Sequence, residues 1–315
     1  MNMKYSSQYI FIIHSSAWQF LTVQEYLAQM NLRSGDVSVL IFVEEDSSSE
    51  LQLREINKIL NIKSEFITYK KSFIGKIRRY LKISKLSLKC EDLFIPQLKI
   101  RWLDFLISRS NYNHISLFDE GTHTLEVIKK IQAGDKSIPY SFHKVFTQYL
   151  EDQILVDGTK IINNKLDFLK SNIQELVIAE ENWFVGQPLY KEDILEEDQL
   201  LFLEKIIKIN ENFLYIPHRY ESVEFIAKVR KLGFNILKSK SIIEFLPMEL
   251  SRLPRQIFGF TSSSLITFKR LLPKEVKIYS VRIPESKILQ GRKDRMNLFY
   301  ETILKQNVLL WSESE

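Results

Sequence analysis

Residues 114–121 read His-Ile-Ser-Leu-Phe-Asp-Glu-Gly, an apolar run that delivers two adjacent carboxylates onto a glycine. Ile115, Leu117 and Phe118 favour an extended strand, and Gly121 can adopt the positive φ that ends one. Asp119 and Glu120 are therefore expected at the carboxyl end of a strand, where open α/β sheets bind their ligands. Composition alone places an acid-acid-glycine triplet in about a third of chains this long, so the flanking sequence has to carry the reading.

Working outward, short apolar runs alternate with helical patterns, the signature of βα units in a parallel sheet. The expected strands of the first half are 9–13, 37–43, 65–69, 92–95 and 114–118. Between them, Leu53, Ile56 and Leu60 recur at helical spacing behind a run of serines. From 133 to 175 the rhythm blurs around Ala133-Gly134-Asp135 and Ile138-Pro139, which predicts a linker or irregular insert. A second series then starts: a strand 181–185 leaving through Gly186-Gln187-Pro188, a helix 196–210, and a strand 213–216 ending at Pro217-His218. A helix 222–232 stopped by Gly233, strands 234–237 and 257–260, and a helix 265–271 behind Thr261-Ser262-Ser263-Ser264 follow. Two rounds of this rhythm predict an α/β protein, GT-B-like, with two Rossmann-type domains facing a central cleft. The expected domains are 1–160 and 175–315, with the C-terminal helix returning to the first.

At 315 residues, 45% of them hydrophobic, the chain can build two cores. Its one cysteine, Cys90, precludes an intramolecular disulfide and fits a reducing compartment. Lys4 precedes only the short run Tyr9 to Ile13, and no apolar stretch approaches the roughly 18 residues of a membrane span, which predicts a cytoplasmic protein. The net charge of +5 is local: eight Lys and Arg and no acid lie between Lys70 and Lys89, so the rest is net acidic.

Three motifs, in order, resemble those of bacterial sialyltransferases and polysialyltransferases: Asp119-Glu120-Gly121, Tyr215-Ile216-Pro217-His218, and the serines 262–264 before a helix. They look like that group's D/E-D/E-G, His-Pro and Ser-rich motifs, over roughly residues 9–271. Val185-Gly186-Gln187-Pro188-Leu189 resembles the strand that opens its nucleotide-binding domain. The resemblance implies an inverting glycosyltransferase that takes a CMP-activated nonulosonic acid, most simply CMP-N-acetylneuraminate, to a capsule or lipooligosaccharide acceptor, with no metal or other cofactor. Pseudaminic, legionaminic or Kdo donors, and a non-catalytic glycan-binding or assembly subunit, are the alternatives.

Such transfer needs a base for the acceptor hydroxyl and stabilisation of the departing phosphate. The resemblance gives the base to Asp119; alternation along a strand leaves Glu120 open, on the other face. His218 is expected to donate a hydrogen bond to the leaving phosphate or to protonate it. In the family a proline follows the histidine; here Pro217 precedes it and Arg219 follows, so Arg219 is a second candidate for the donor's phosphate or carboxylate. Ser262, Ser263 and Ser264 read either as an anion site at a helix N-terminus or as a plain N-cap. Gly186, Gln187 and Pro217 complete the expected donor side. His14, Ser15, Gln19 and Gly121 are expected beside the acceptor. His114, His123 and His143 show no paired metal-ligand spacing.

Lys70 to Lys89 interleaves Phe73, Ile74, Ile77, Leu81, Ile83, Leu86 and Leu88 with its cations, as a basic amphipathic helix does. It is expected either on an anionic membrane surface or glycan, or as a helix with a solvated basic face. No recognition module accompanies the charge, so nucleic acid is not an expected partner.

Overall fold

The structure, a computed structural model, describes residues 3–98, 100–121, 123–209, 212–237, 239 and 241–312. The chain divides into two compact units, Met1–Phe168 and Leu169–Glu315, each built on its own sheet.

The first unit holds β1 (Met3–Ser6), β2 (Tyr9–His14), β3 (Val37–Glu44), β4 (Ser64–Tyr69), β5 (Leu86–Ile95), β6 (Asn111–Phe118), β7 (Lys144–Thr147), β8 (Gln153–Ile154) and β9 (Lys160–Asn163). Their order is β4-β3-β2-β5-β6-β7-β9-β8, with β1 beside β5; apart from the antiparallel β8–β9 pair, every pairing among the described residues is parallel. Strands buried on both faces read as continuous apolar runs, which is why Ile10–Ile13 and Val39–Val43 were legible and are fully buried. The order reverses between β2 and β5, and open α/β sheets bind their ligands at the carboxyl ends of the strands at such a switch point. The helix Ser48–Leu60 buries Leu53 and Ile56, and Ser47 caps it by accepting from Glu50 N at 3.1 Å.

Two expectations need correction. The blurred stretch 133–175 is not irregular throughout: β7 pairs with β6 from Ser116–Lys144 to Phe118–Phe146 and β9 pairs with β7, so the first sheet continues into it, and the division between the units falls within it, after Phe168. The basic segment is a helix only over Phe73–Ser84; Leu86 and Leu88 belong to β5 and are buried in the core.

The second unit holds β10 (Asn182–Val185), β11 (Phe213–Ile216), β12 (Asn235–Ile236), β13 (Gln256–Gly259), β14 (Lys277–Val281) and β15 (Leu309–Trp311), all parallel in the order β12-β11-β10-β13-β14-β15. Its switch point lies between β10 and β13. Within this unit the helix Lys293–Lys305 links β14 to β15, and its Tyr300 hydroxyl accepts from Ile283 N at 3.0 Å.

Candidate functional site

In the first unit, β6 ends at Phe118, Gly121 takes φ 93°, and the two acids fall between them. They do not share an environment. Asp119 is fully buried, and its Oδ2 accepts from Gln148 N at 2.7 Å, an amide supplied by the end of β7. Glu120 stays partly exposed and turns toward the end of β5. With the Gln97 amide oriented to satisfy both of its ends, its oxygen accepts from His14 Nδ1 at 2.8 Å and its nitrogen donates to the Glu120 carboxylate at 2.6 and 3.0 Å. The Tyr69 hydroxyl then donates to His14 Nε2 at 3.3 Å. The ends of β4, β2, β5 and β6 thus contribute a continuous chain, Tyr69–His14–Gln97–Glu120, across the switch point.

Burial pushes the Glu120 carboxyl up to about 7, while amide donation from Gln97 favours its ionised form. His14 is driven down to about 4, first by burial and then by the nearby Arg79 guanidinium, so its ring is neutral at pH 7 and supports this bonding pattern. Of the other residues expected beside the acceptor, Gln19 is fully buried while Ser15 and Gly121 are partly exposed. Gln19 is fully buried, with its Oε1 taking His14 N at 2.7 Å, and offers an acceptor no surface. Ser15, at φ 54°, donates both its amide (3.0 Å) and its hydroxyl (3.4 Å) to Phe42 O. Gly121 lies at the partly exposed edge beyond Glu120.

In the second unit the expected donor residues converge at the carboxyl ends of β10, β11 and β13. Glu221, which sequence reading did not single out, organises them: it accepts from the Tyr215 hydroxyl at 2.7 Å, from His218 N at 2.9 Å and from the Gln187 amide. Burial pushes it up to about 7 against those donors. Gly186 is required here, since a Cβ would come within 2.7 Å of Glu221 Oε2 and 2.8 Å of Ile216 O. Gln187 bridges the switch point: its Nε2 donates to Thr261 O, and its Oε1 accepts from the Thr261 hydroxyl, both at 3.3 Å. Gln199, another residue the sequence did not flag, donates to Gln187 O at 2.6 Å.

His218 follows Pro217 out of β11. Burial, then Arg219 and Lys191, lowers its pKa to about 4. Tyr220 N donates to its Nδ1 at 3.3 Å, which leaves the ring proton on Nε2. At neutral pH this ring is a hydrogen-bond donor and not a charged acid. Arg219 is exposed, with its guanidinium 4.8 Å over the Tyr220 ring. At the end of β13, Ser263 is the N-cap of the helix Ser264–Leu271 by position but makes no capping bond with its side chain, and Ser262 and Ser264 pair through their hydroxyls at 2.6 Å. Ser263 is therefore no side-chain N-cap, and the first-turn amides of Leu265 and Ile266 bond instead to Ser262 O at 3.2 Å and Ser263 O at 3.1 Å. His114 and His143 stack on each other at 4.2 Å, and among the described residues no group of three or more His, Cys, Asp or Glu is placed to hold a metal ion.

No family model and no curated protein sequence matches this chain. Among solved structures it is similar to the E. coli heptosyltransferase WaaC with ADP-2-deoxy-2-fluoro heptose, at 11% identity and TM-score 0.50, over 97% of this chain and 100% of that one. It is similar to S. aureus MnaA with UDP, at 9% identity and TM-score 0.50, over 95% and 87%. A 2,6-sialyltransferase from Photobacterium sp. JT-ISH-224, solved with CMP and lactose, aligns at 12% identity and TM-score 0.49 over 96% and 78%. The first two carry the fold: the chain has the α/β architecture of GT-B glycosyltransferases, with two Rossmann-like units.

Proposed function

We propose that the chain is an inverting glycosyltransferase that moves a sialic acid or related nonulosonic acid from a CMP-sugar to a surface-glycan acceptor. The observation that carries this reading is Glu120, a partly exposed carboxylate with a pKa near 7, hydrogen-bonded at a sheet switch point. A general base works best when its pKa lies near the working pH and its lone pair can reach solvent. Glu120 meets both conditions; Asp119, sealed against Gln148 N, serves to fix the turn. This moves the base from Asp119, where the family resemblance puts it, to Glu120, the alternative that the sequence left open.

In the proposed step Glu120 takes the acceptor proton, the acceptor oxygen bonds to the anomeric carbon, and the bond to the CMP phosphate breaks with its electron pair on that phosphate. His218 Nε2–H donates to the developing charge, and the amides and hydroxyls at Ser262–Ser264 hold it. Gly186 and Gln187 shape the nucleotide loop, with Arg219 beside it. These neutral donors perform the task without a divalent ion, so the reading includes metal independence.

Titrating the full-length protein with CMP tests the division of labour. Gly186→Ala and His218→Ala are expected to weaken CMP binding, while Glu120→Gln leaves it unchanged. If CMP binds the Gly186 and His218 variants as it binds the wild type, the donor assignment falls. A panel of nucleotide sugars separates the nonulosonic donors from one another and from UDP- and ADP-sugars.

A further inference from the structure

The helix Phe73–Ser84 is packed against its unit through one face only. Ile83 is fully buried, Gly75 lies so close to the preceding loop that a Cβ would come within 2.1 Å of Lys70 O, and the Arg79 guanidinium sits 4.4 Å over the Tyr69 ring. The opposite face carries Phe73, Ile74, Ile77 and Leu81, which are 76, 63, 46 and 56% exposed. At 100° per residue these four fall within one arc of about 100°. Arg78 and Lys85 project at one margin of that arc and Lys76 at the other, all exposed. Among the described residues none of these three cations forms an ion pair, whereas Lys70 and Lys71 pair with Glu45 and Glu44.

A helix that turns large apolar side chains outward, borders them with unpaired cations and carries no acid matches one environment. Its apolar arc suits the acyl boundary of a bilayer, and its margins suit anionic headgroups. We propose that this helix lies in the plane of an anionic membrane surface, with Phe73, Ile74, Ile77 and Leu81 inserted and Lys76, Arg78 and Lys85 against the lipid phosphates. The stack of Arg79 on Tyr69, whose hydroxyl donates to His14, ties the docked helix to the carboxylate site of the first unit. Docking is independent of the transfer proposed above, since it requires no sugar nucleotide.

The test is co-sedimentation of the full-length protein with vesicles of equimolar phosphatidylglycerol and phosphatidylcholine at low salt. The wild type is expected to pellet with them and not with pure phosphatidylcholine. Both the Phe73→Ser/Ile77→Ser/Leu81→Ser variant and the Lys76→Gln/Arg78→Gln/Lys85→Gln variant are expected to lose about tenfold in bound fraction, because apolar insertion and charge attraction act together. All substituted side chains are exposed, and circular dichroism checks that folding is kept. An Ile77→Trp protein should shift its emission to the blue only with the anionic vesicles. Absence of wild-type binding overturns the proposal, as does undiminished binding by the serine variant. A wild type that is dimeric in solution, with a monomeric serine variant, overturns it in favour of a contact between two copies.

Discussion

Glu120 and Asp119 are chemically alike and one residue apart, yet Asp119 is fully buried against Gln148 N while Glu120 is partly exposed. Glu120→Gln is expected to fold and bind nucleotide but to lose about 10²- to 10⁴-fold in transfer, since the amide cannot accept the acceptor proton. Asp119→Asn keeps an oxygen for Gln148 N and should retain most turnover; the reverse ranking would return the base to Asp119. Glu120 also predicts a stability effect. Its folded pKa of about 7 exceeds its ordinary value of 4.5, so the folded state binds more protons between those limits, and stability from this group declines as pH rises through that window. Urea unfolding should find Glu120→Gln more stable than wild type at pH 8, by about 1–3 kcal/mol, and equal to it at pH 4. Equal stability at both pH values would show that Glu120 titrates normally. The acid pair was legible because an apolar strand followed by glycine exposes whatever lies between. Its division of labour was not, because Gln97 and Gln148 reach it from strands more than 20 residues away.

At the scale of elements, the loop after β10 depends on a close approach that only glycine permits. Gly186→Ala should lower stability by about 1–3 kcal/mol, through overpacking against Glu221 and Ile216 O, and should weaken CMP binding together with it. Thermal unfolding with and without CMP reads both effects, and an unchanged Tm would mean that the loop has room to spare. Glu221→Gln keeps one acceptor oxygen, enough for His218 N while the Tyr215 hydroxyl turns to accept from the new amide, and should be milder than Glu221→Ala, which leaves those donors unpaired. Long doubly buried strands announced themselves in the sequence, as did helices with serine caps such as Ser222, which accepts from Phe225 N. The short β7, β8 and β9 did not: runs of two to four residues give neither alternation nor an apolar block. Glu221 was invisible for a related reason, since three donors converge on it only once β10 and β11 pair.

For the whole molecule, the sequence conveyed two rounds of βα rhythm, and the structure answers with two sheets, parallel but for the β8–β9 pair, each with a switch point flanked by the residues singled out. Among the described residues no helix is long and apolar enough to cross a membrane. The most direct test of the proposed transfer is acceptor-dependent release of CMP from CMP-N-acetylneuraminate by the full-length protein in excess chelator. The account predicts CMP release that requires a glycan acceptor, a product of inverted anomeric configuration, no change with chelator, and loss of turnover in Glu120→Gln. Release that needs an added divalent ion, or none from any CMP-nonulosonic acid while a UDP- or ADP-sugar is turned over, would contradict it.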